Sequence, residues 1–310
     1  MPELQSATDV LMIRPVRFTG NPQTSASNVF QQLGALSDDE AQRLALAEFD
    51  ALASALIDAG VGVHVIEDTL EPHTPDSIFP NNWASFHADG TVVLYPMLAP
   101  NRRAERRADI LEQLSARNGF FASRILDLTH HEHDEKFLEG TGSLVLDRAN
   151  RIAYACVSAR TDLDVLGDFA QQLDYEIVAF EAQDANGFPI YHTNVLMSVG
   201  TGFAAVCSAS IRENARGAVL DMLRSTGHEL LELSYEQMHA FAGNMLELRT
   251  HDGTAVIAMS QRAFESLTPD QRTFLERHAA RILSIPIPTI ETLGGGSVRC
   301  MLAEVALPRK

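Results

Sequence analysis

Short apolar runs of strand-forming residues recur along the chain, each preceded by a turn signal and followed by a longer stretch with helical spacing. The clearest runs are Thr91–Met97, Arg151–Ser158, Gly202–Ser208 and Thr254–Ser260. Three of them end in a serine, at Ser158, Ser208 and Ser260. Asp89-Gly90, Asp147–Arg151, Gly200–Gly202 and Asp252-Gly253 supply the turns, so each run reads as the second strand of a hairpin. Apolar spacing predicts helices over 37–60, 103–117, 162–173 and 211–226. Ser37 with Glu40, and Thr268 with Gln271 behind Pro269, form capping-box patterns at helix starts. A further strand follows most helices, at Val61–Ile66, Ser123–Leu126, Ile177–Phe180, Glu229–Leu233 and Ile282–Ile287. The unit is therefore strand, strand, helix, strand, about five times over, and residues 1–310 read as one domain of such ββαβ repeats.

A polar residue stands just before the first strand of each unit: Asn82, Glu139, His192, Asn244 and Cys300. They lie 57, 53, 52 and 56 residues apart. Cys300 is expected to open a last strand that pairs with the N-terminal strand Val10–Phe18. That pairing closes a ring and leaves few raw edges. Equivalent positions then converge on the axis, which predicts a shared pocket. Cysteine, histidine and glutamate together suit nucleophilic catalysis: a thiolate attacks and a histidine that titrates near neutrality moves the proton.

Other features narrow the reading. Lys+Arg total 24 against 41 Asp+Glu, a formal charge of -17, which disfavours nucleic acid as a partner. No apolar stretch is long enough to span a bilayer and no signal peptide is evident, so no membrane partner and a cytoplasmic setting are expected. The three cysteines are odd in number and widely spaced; Cys156 and Cys207 sit inside apolar runs and read as core. His130-His-Glu-His133 lies in a charged connector without helical register and reads as solvated, so no metal is expected. The polar segment 20–31 is a candidate lid, with an exposed connector as the plain alternative.

The motifs FLEGTGS around Glu139, YHTNV around His192, Gly243-Asn244 and GGGSVRC at the C-terminus resemble the pentein, or guanidino-group modifying, superfamily. VLMIRP, IFPNNWASF and LEGTGS are most similar to its citrulline-utilisation hydrolase branch, related to amidinotransferases and arginine deiminases. The resemblance implies a fivefold pseudo-symmetric α/β propeller and cofactor-free chemistry. It also implies Cys300 as nucleophile, His192 as general acid/base and Glu139 as an orienting carboxylate. Arginine deiminases carry carboxylates where this chain has Asn82 and Asn194. An amide is both donor and acceptor, so it matches a neutral ureido group better than a guanidinium cation. Citrulline hydrolysis is the expectation, with Asn82, Asn194, Asn244 and Asp76 on the substrate and Arg14 or Arg299 on its carboxylate. The alternatives are a guanidino hydrolase or amidinotransferase acting on arginine or a methylated arginine, and a non-catalytic pentein binding protein. The partner expected is a small amino acid; a homo-oligomer is left open.

Overall fold

The structure, a computed structural model, describes residues 3–32, 34 and 36–310. The described residues form five three-stranded sheets. In chain order the strands are β1 Asp9–Arg14, β2 Gly62–Glu67, β3 Ala84–Phe86, β4 Thr91–Leu94, β5 Arg124–Asp127, β6 Leu144–Asp147, β7 Ile152–Cys156 and β8 Glu176–Phe180. They continue with β9 Met197–Val199, β10 Phe203–Val206, β11 Glu229–Glu232, β12 Leu246–Arg249, β13 Ala255–Ser260, β14 Arg281–Ile285 and β15 Ala303–Glu304. Every sheet repeats one pattern, an antiparallel hairpin whose second strand pairs parallel with the strand after the helix. Thus β3 pairs antiparallel with β4 (Ala84 opposite Leu94), and β4 runs parallel to β5. The fifth sheet is assembled from both chain ends: β15 pairs antiparallel with β1, with Val10 opposite Glu304, and β1 runs parallel to β2. This is the fivefold pseudo-symmetric α/β propeller that the sequence resemblance implies.

Burial separates the inner hairpin strands from the outer third strand. The first strands β3, β6 and β9 are buried throughout, whereas β5 contains no fully buried residue. The helices lie outside. They are α1 Asp38–Ala59, α2 Ala108–Asn118, α3 Leu163–Leu173, α4 Glu213–Ser225 and α5 Pro269–His278. The first buries Ala45, Phe49, Leu52 and Leu56 at helical spacing and ends on Gly60, whose left-handed conformation suits glycine. No described helix is long and apolar enough to cross a membrane.

Two local expectations are corrected. Cys300 does not open a strand; it lies in the one-turn helix Val298–Met301, with its N–H donating to Ser297 O at 3.0 Å, and only Ala303–Glu304 pairs as strand. The helix expected from Arg103 starts at Ala108, because the preceding turn, Pro100–Glu105, folds Arg102 and Glu105 into the protein. The polar segment 20–31, the candidate lid, is exposed only in part, at Pro22, Gln23, Ala26 and Val29. It contains the short helix Pro22–Ser25, and Asn21, Thr24, Asn28 and Gln31 are buried.

Candidate active site

The five spaced polar residues sit in short turns that enter the first strands. Asn82 ends the turn Pro80–Asn82, Glu139 and His192 immediately precede the one-turn helices Gly140–Ser143 and Thr193–Leu196, and Asn244 follows a turn at Phe241. Each turn delivers a side chain to the axis and frees the next residues to pair. All five side chains are buried.

A cleft at the axis is lined by Asn82, His192 and Cys300, with Asp76, Arg102 and Arg160 adding charge around them. His192 Nε2 lies 2.9 Å from Glu139 Oε2. Glu139 also accepts from Arg160 Nη1 at 3.2 Å and from the Leu98 N–H at 3.2 Å, and Arg102 Nη1 is 3.7 Å away. Burial works against charge on Glu139, but Arg160, His192 and Arg102 outweigh it and hold the carboxyl well below the usual carboxylate range. Burial pushes His192 down to about 4, against the opposing pull of Glu139. At neutral pH the site therefore holds a carboxylate beside a neutral imidazole. Nε2–H donates to Glu139, which leaves Nδ1 as the basic nitrogen.

A pH dependence follows. The folded-state value for His192 lies below that of a free imidazole, about 6.5. As pH falls, the unfolded chain takes up this proton first, so the neutral histidine's contribution is full above about 6.5 and is lost towards 4. Its size is on the order of 3 kcal/mol. His192→Gln should flatten the fall in Tm between pH 7 and pH 4; parallel curves for the two proteins would contradict the assignment.

Nδ1 packs against Gly142. A Cβ there would stand 2.7 Å from His192 Nδ1 and 2.5 Å from Asn82 Nδ2. Gly142→Ala must push both aside, so it should cut kcat by about a hundredfold, as a misplacement near 1 Å does. Circular dichroism should stay unchanged. An active Gly142→Ala enzyme would show that Nδ1 and Asn82 are not where the chemistry happens.

Asp76 and Arg102 tie the floor of the cleft together. Arg102 pairs with Glu105 through Nε and Nη2 at 2.9 and 3.0 Å, and its Nη1 donates to Asn82 Oδ1 at 2.9 Å. Asp76 Oδ2 accepts from Asn21 Nδ2 and Thr24 Oγ1, while its buried Oδ1 has no protein partner. Segment 20–31 is held over the cleft by these contacts, by Asn28 donating to Gly295 O and by the Gln32 N–H donating to Thr292 O. Gly295 itself adopts φ +64, its oxygen also accepts from Tyr191, and its N–H is spent on Glu291 O. That removes one of the glycine-loop amides from the groups able to stabilise developing charge.

Several sequence-derived assignments do not fall in the cleft. Arg14 points outward and pairs with Asp50 and Glu67. Arg299 points behind the thiol, donating to Leu302 O and pairing with Glu304. Asn194 and Asn244 contact Cys300 Sγ and do not line the substrate cleft. The cations that do line it are Arg102 and Arg160, which sequence reasoning missed; no local pattern marks an isolated arginine as inward-facing. Cys156 and Cys207 are buried in and beside strands, and burial pushes their thiols up to about 12 and about 11. In the histidine-rich connector, His131 meets Asp168 at 3.1 Å, and His130 lies close by with candidate ligand atoms within 4.8 Å.

Comparison with known proteins places this architecture. The model of the family described as N,N dimethylarginine dimethylhydrolase, eukaryotic, matches residues 14–307. The chain belongs to this family. It is thereby a pentein of the guanidino-modifying hydrolase type. No curated protein sequence matches this family member. Its fold is shared with the N-terminal domain of ArgZ, an arginine dihydrolase from the ornithine-ammonia cycle in cyanobacteria, solved bound to substrate. The TM-score is 0.72 at 18% identity, over 96% of this chain and 99% of that domain. AgrE, solved with L-arginine, gives 0.72 at 16% identity, over 97% of this chain and 40% of AgrE. A dimethylarginine dimethylaminohydrolase solved as an adduct with S-methyl-L-thiocitrulline gives 0.64 at 14% identity, over 96% and 99%. The dimethylhydrolase-family chain thus spans about two-fifths of the longer ArgZ and AgrE chains. Identities this low establish the shared fold.

Proposed function

We propose that this chain hydrolyses citrulline at its ureido carbon, releasing ornithine, ammonia and CO2 through a covalent bond to Cys300. The observation that carries the reading is the orientation of Asn82. Its Oδ1 is engaged by Arg102 and one Nδ2 hydrogen by Asn81 Oδ1 at 3.1 Å, so the remaining Nδ2 hydrogen is the group it can offer. A donor backed by a buried guanidinium suits a carbonyl oxygen and disfavours a second cation. Arg160, which pairs with Glu139 through Nη1 and donates to Thr24 O and Ser27 Oγ, must turn a remaining N–H to the α-carboxylate, and the free Asp76 Oδ1 accepts from the α-ammonium group.

The steps balance with one water. The Cys300 thiol gives its proton to His192 Nδ1, and the sulfur bonds to the ureido carbon. The bond from that carbon to the terminal nitrogen breaks, and His192 returns the proton to the departing ammonia. A thiocarbamate joins Cys300 to the substrate. Water then adds to its carbon and gives a proton to His192. The carbon–sulfur bond breaks and the sulfur recovers the proton. The released carbamic acid loses CO2 to leave the amine of ornithine. Glu139 keeps Nε2 protonated throughout, which keeps Nδ1 facing the chemistry.

The free carboxylate oxygen of Asp76 favours a second reading, a guanidino substrate such as arginine or a methylated arginine. Ornithine, citrulline and ammonia release should be measured with citrulline, arginine and dimethylarginine side by side. Citrulline should exceed the others in kcat/KM by at least about tenfold, the discrimination expected when a buried polar group is mismatched. The opposite order would overturn the citrulline assignment, and product formed only with an added acceptor amine would indicate amidine transfer.

A further inference from the structure

Behind the nucleophile, on the side away from the cleft, two carboxamides touch the reacting atom. Asn244 Nδ2 lies 3.3 Å from Cys300 Sγ and Asn194 Nδ2 lies 3.4 Å from it. We propose that Asn244, with Asn194, stabilises the Cys300 thiolate that forms as the thiol passes its proton to His192, so that both amides act on the nucleophile and not on the substrate. This rests on Cys300 being the nucleophile of the proposed reaction.

The amide of Asn244 has only one orientation available. Its Oδ1 accepts from the Arg299 N–H at 3.1 Å, and its Nδ2 donates to Asn194 O at 2.9 Å. Turning the amide over would set oxygen against a carbonyl and NH2 against an N–H. The second Nδ2 hydrogen must therefore face the sulfur. The S–H of a thiol can donate to Asn244 Oδ1 at 3.7 Å, a longer contact than either Nδ2 makes with the sulfur, and it shares that oxygen with the Arg299 N–H.

Asn194 is held the other way about. Its buried Oδ1 has no protein partner and borders a small polar cavity on the ring axis, as does Ser198, whose Oγ is also unpartnered. The cavity, about 30 Å³, has room for about one water able to donate to both atoms. With its oxygen turned to the cavity, Asn194 presents its amide nitrogen to the sulfur. Hydrogen bonds to the charged form of a group favour that form, and N–H donors to an anion are stronger than those to a neutral acceptor. Two such donors do the work that a neighbouring cation does for other reactive thiols, at a site where His192 is neutral.

The test is the pH dependence of iodoacetamide alkylation at Cys300, located by mass spectrometry, in the native enzyme, Asn244→Asp and Asn194→Ala. The midpoint should rise by about one pH unit or more in each variant, a tenfold loss of thiolate below the midpoint. In each, kcat for citrulline should fall by a similar factor while KM changes less than about threefold. Asn194→Ala leaves the bonds of Asn244 to the backbone in place, so it remains informative if Asn244→Asp does not fold. An unmoved alkylation midpoint in a folded variant overturns the proposal, as does a rise in KM with kcat unchanged. Alkylation does not require turnover. A Cys300→Ala enzyme that still releases ornithine would therefore sink the reaction assignment while leaving the shift in thiolate midpoint measurable.

Discussion

Cys300→Ala is expected to abolish ornithine release from citrulline, with kcat falling by at least about 10⁴-fold, because no second group can replace the covalent step. Cys156 and Cys207 cannot substitute, since both thiols are buried elsewhere and pushed far above neutrality. The loss should not come from unfolding. Cys300 is a small buried side chain, and removing one sulfur atom leaves the carboxamide of Asn244 bonded to Asn194 O and to the Arg299 N–H. Tm within a few degrees of the native enzyme, with substrate still bound in an equilibrium assay, is the matching outcome. Retained turnover would place the chemistry on another atom and would undo the reaction proposed.

Glu139→Gln is expected to damage activity and stability together. The carboxylate is buried, and it answers the charge of Arg160 and part of that of Arg102. Gln is nearly isosteric but neutral, so two buried guanidiniums lose a counter-charge. Removing one partner of a buried ion pair costs about 3–5 kcal/mol. For a chain of this size that is a drop in Tm of roughly 2–4 °C per kcal/mol. The catalytic effect is larger. An amide can present its NH2 to Nε2, which stabilises the wrong tautomer and places the imidazole hydrogen on Nδ1. Misassigned tautomers of this kind cost about 10⁴-fold in kcat. Thermal melting and single-turnover kinetics read the two effects separately. A variant that loses stability but keeps kcat would make Glu139 a structural ion and not the orienting group of His192.

Much of the fold was legible because strands two layers deep announce themselves. TVVL at Thr91, IAYAC at Ile152 and AVIAMS at Ala255 are buried nearly throughout, and such runs need no periodicity to be found. Five recurrences of one unit then made ring closure by β1 and β15 an economical inference. The turns that carry the site were not legible. A single turn of helix is only three or four residues long and leaves no periodic trace, so the apolar pattern predicts a strand at Cys300 where the chain makes a turn. The arginines were the second gap. Arg14 and Arg299 stand next to recognisable motifs, while Arg102 and Arg160 stand in stretches with no apolar pattern; only the packed chain reveals which pair turns inward. The amides were a third. Asn194 and Asn244 belong to the spaced set, but which face of the ring each meets depends on neighbours more than fifty residues away.

The closing strand makes the ring's seam part of the candidate site. Cys300 stands three residues before β15, and β15 pairs antiparallel with β1 at the opposite chain end. The turn that carries the sulfur is therefore anchored across the seam, while His192, Glu139, Asn194 and Asn244 are carried by units that close on themselves. A perturbation that loosens the pairing of β15 with β1 would shift the sulfur relative to its partners while leaving those partners in place, so the seam is the point at which ring closure and site geometry are one event.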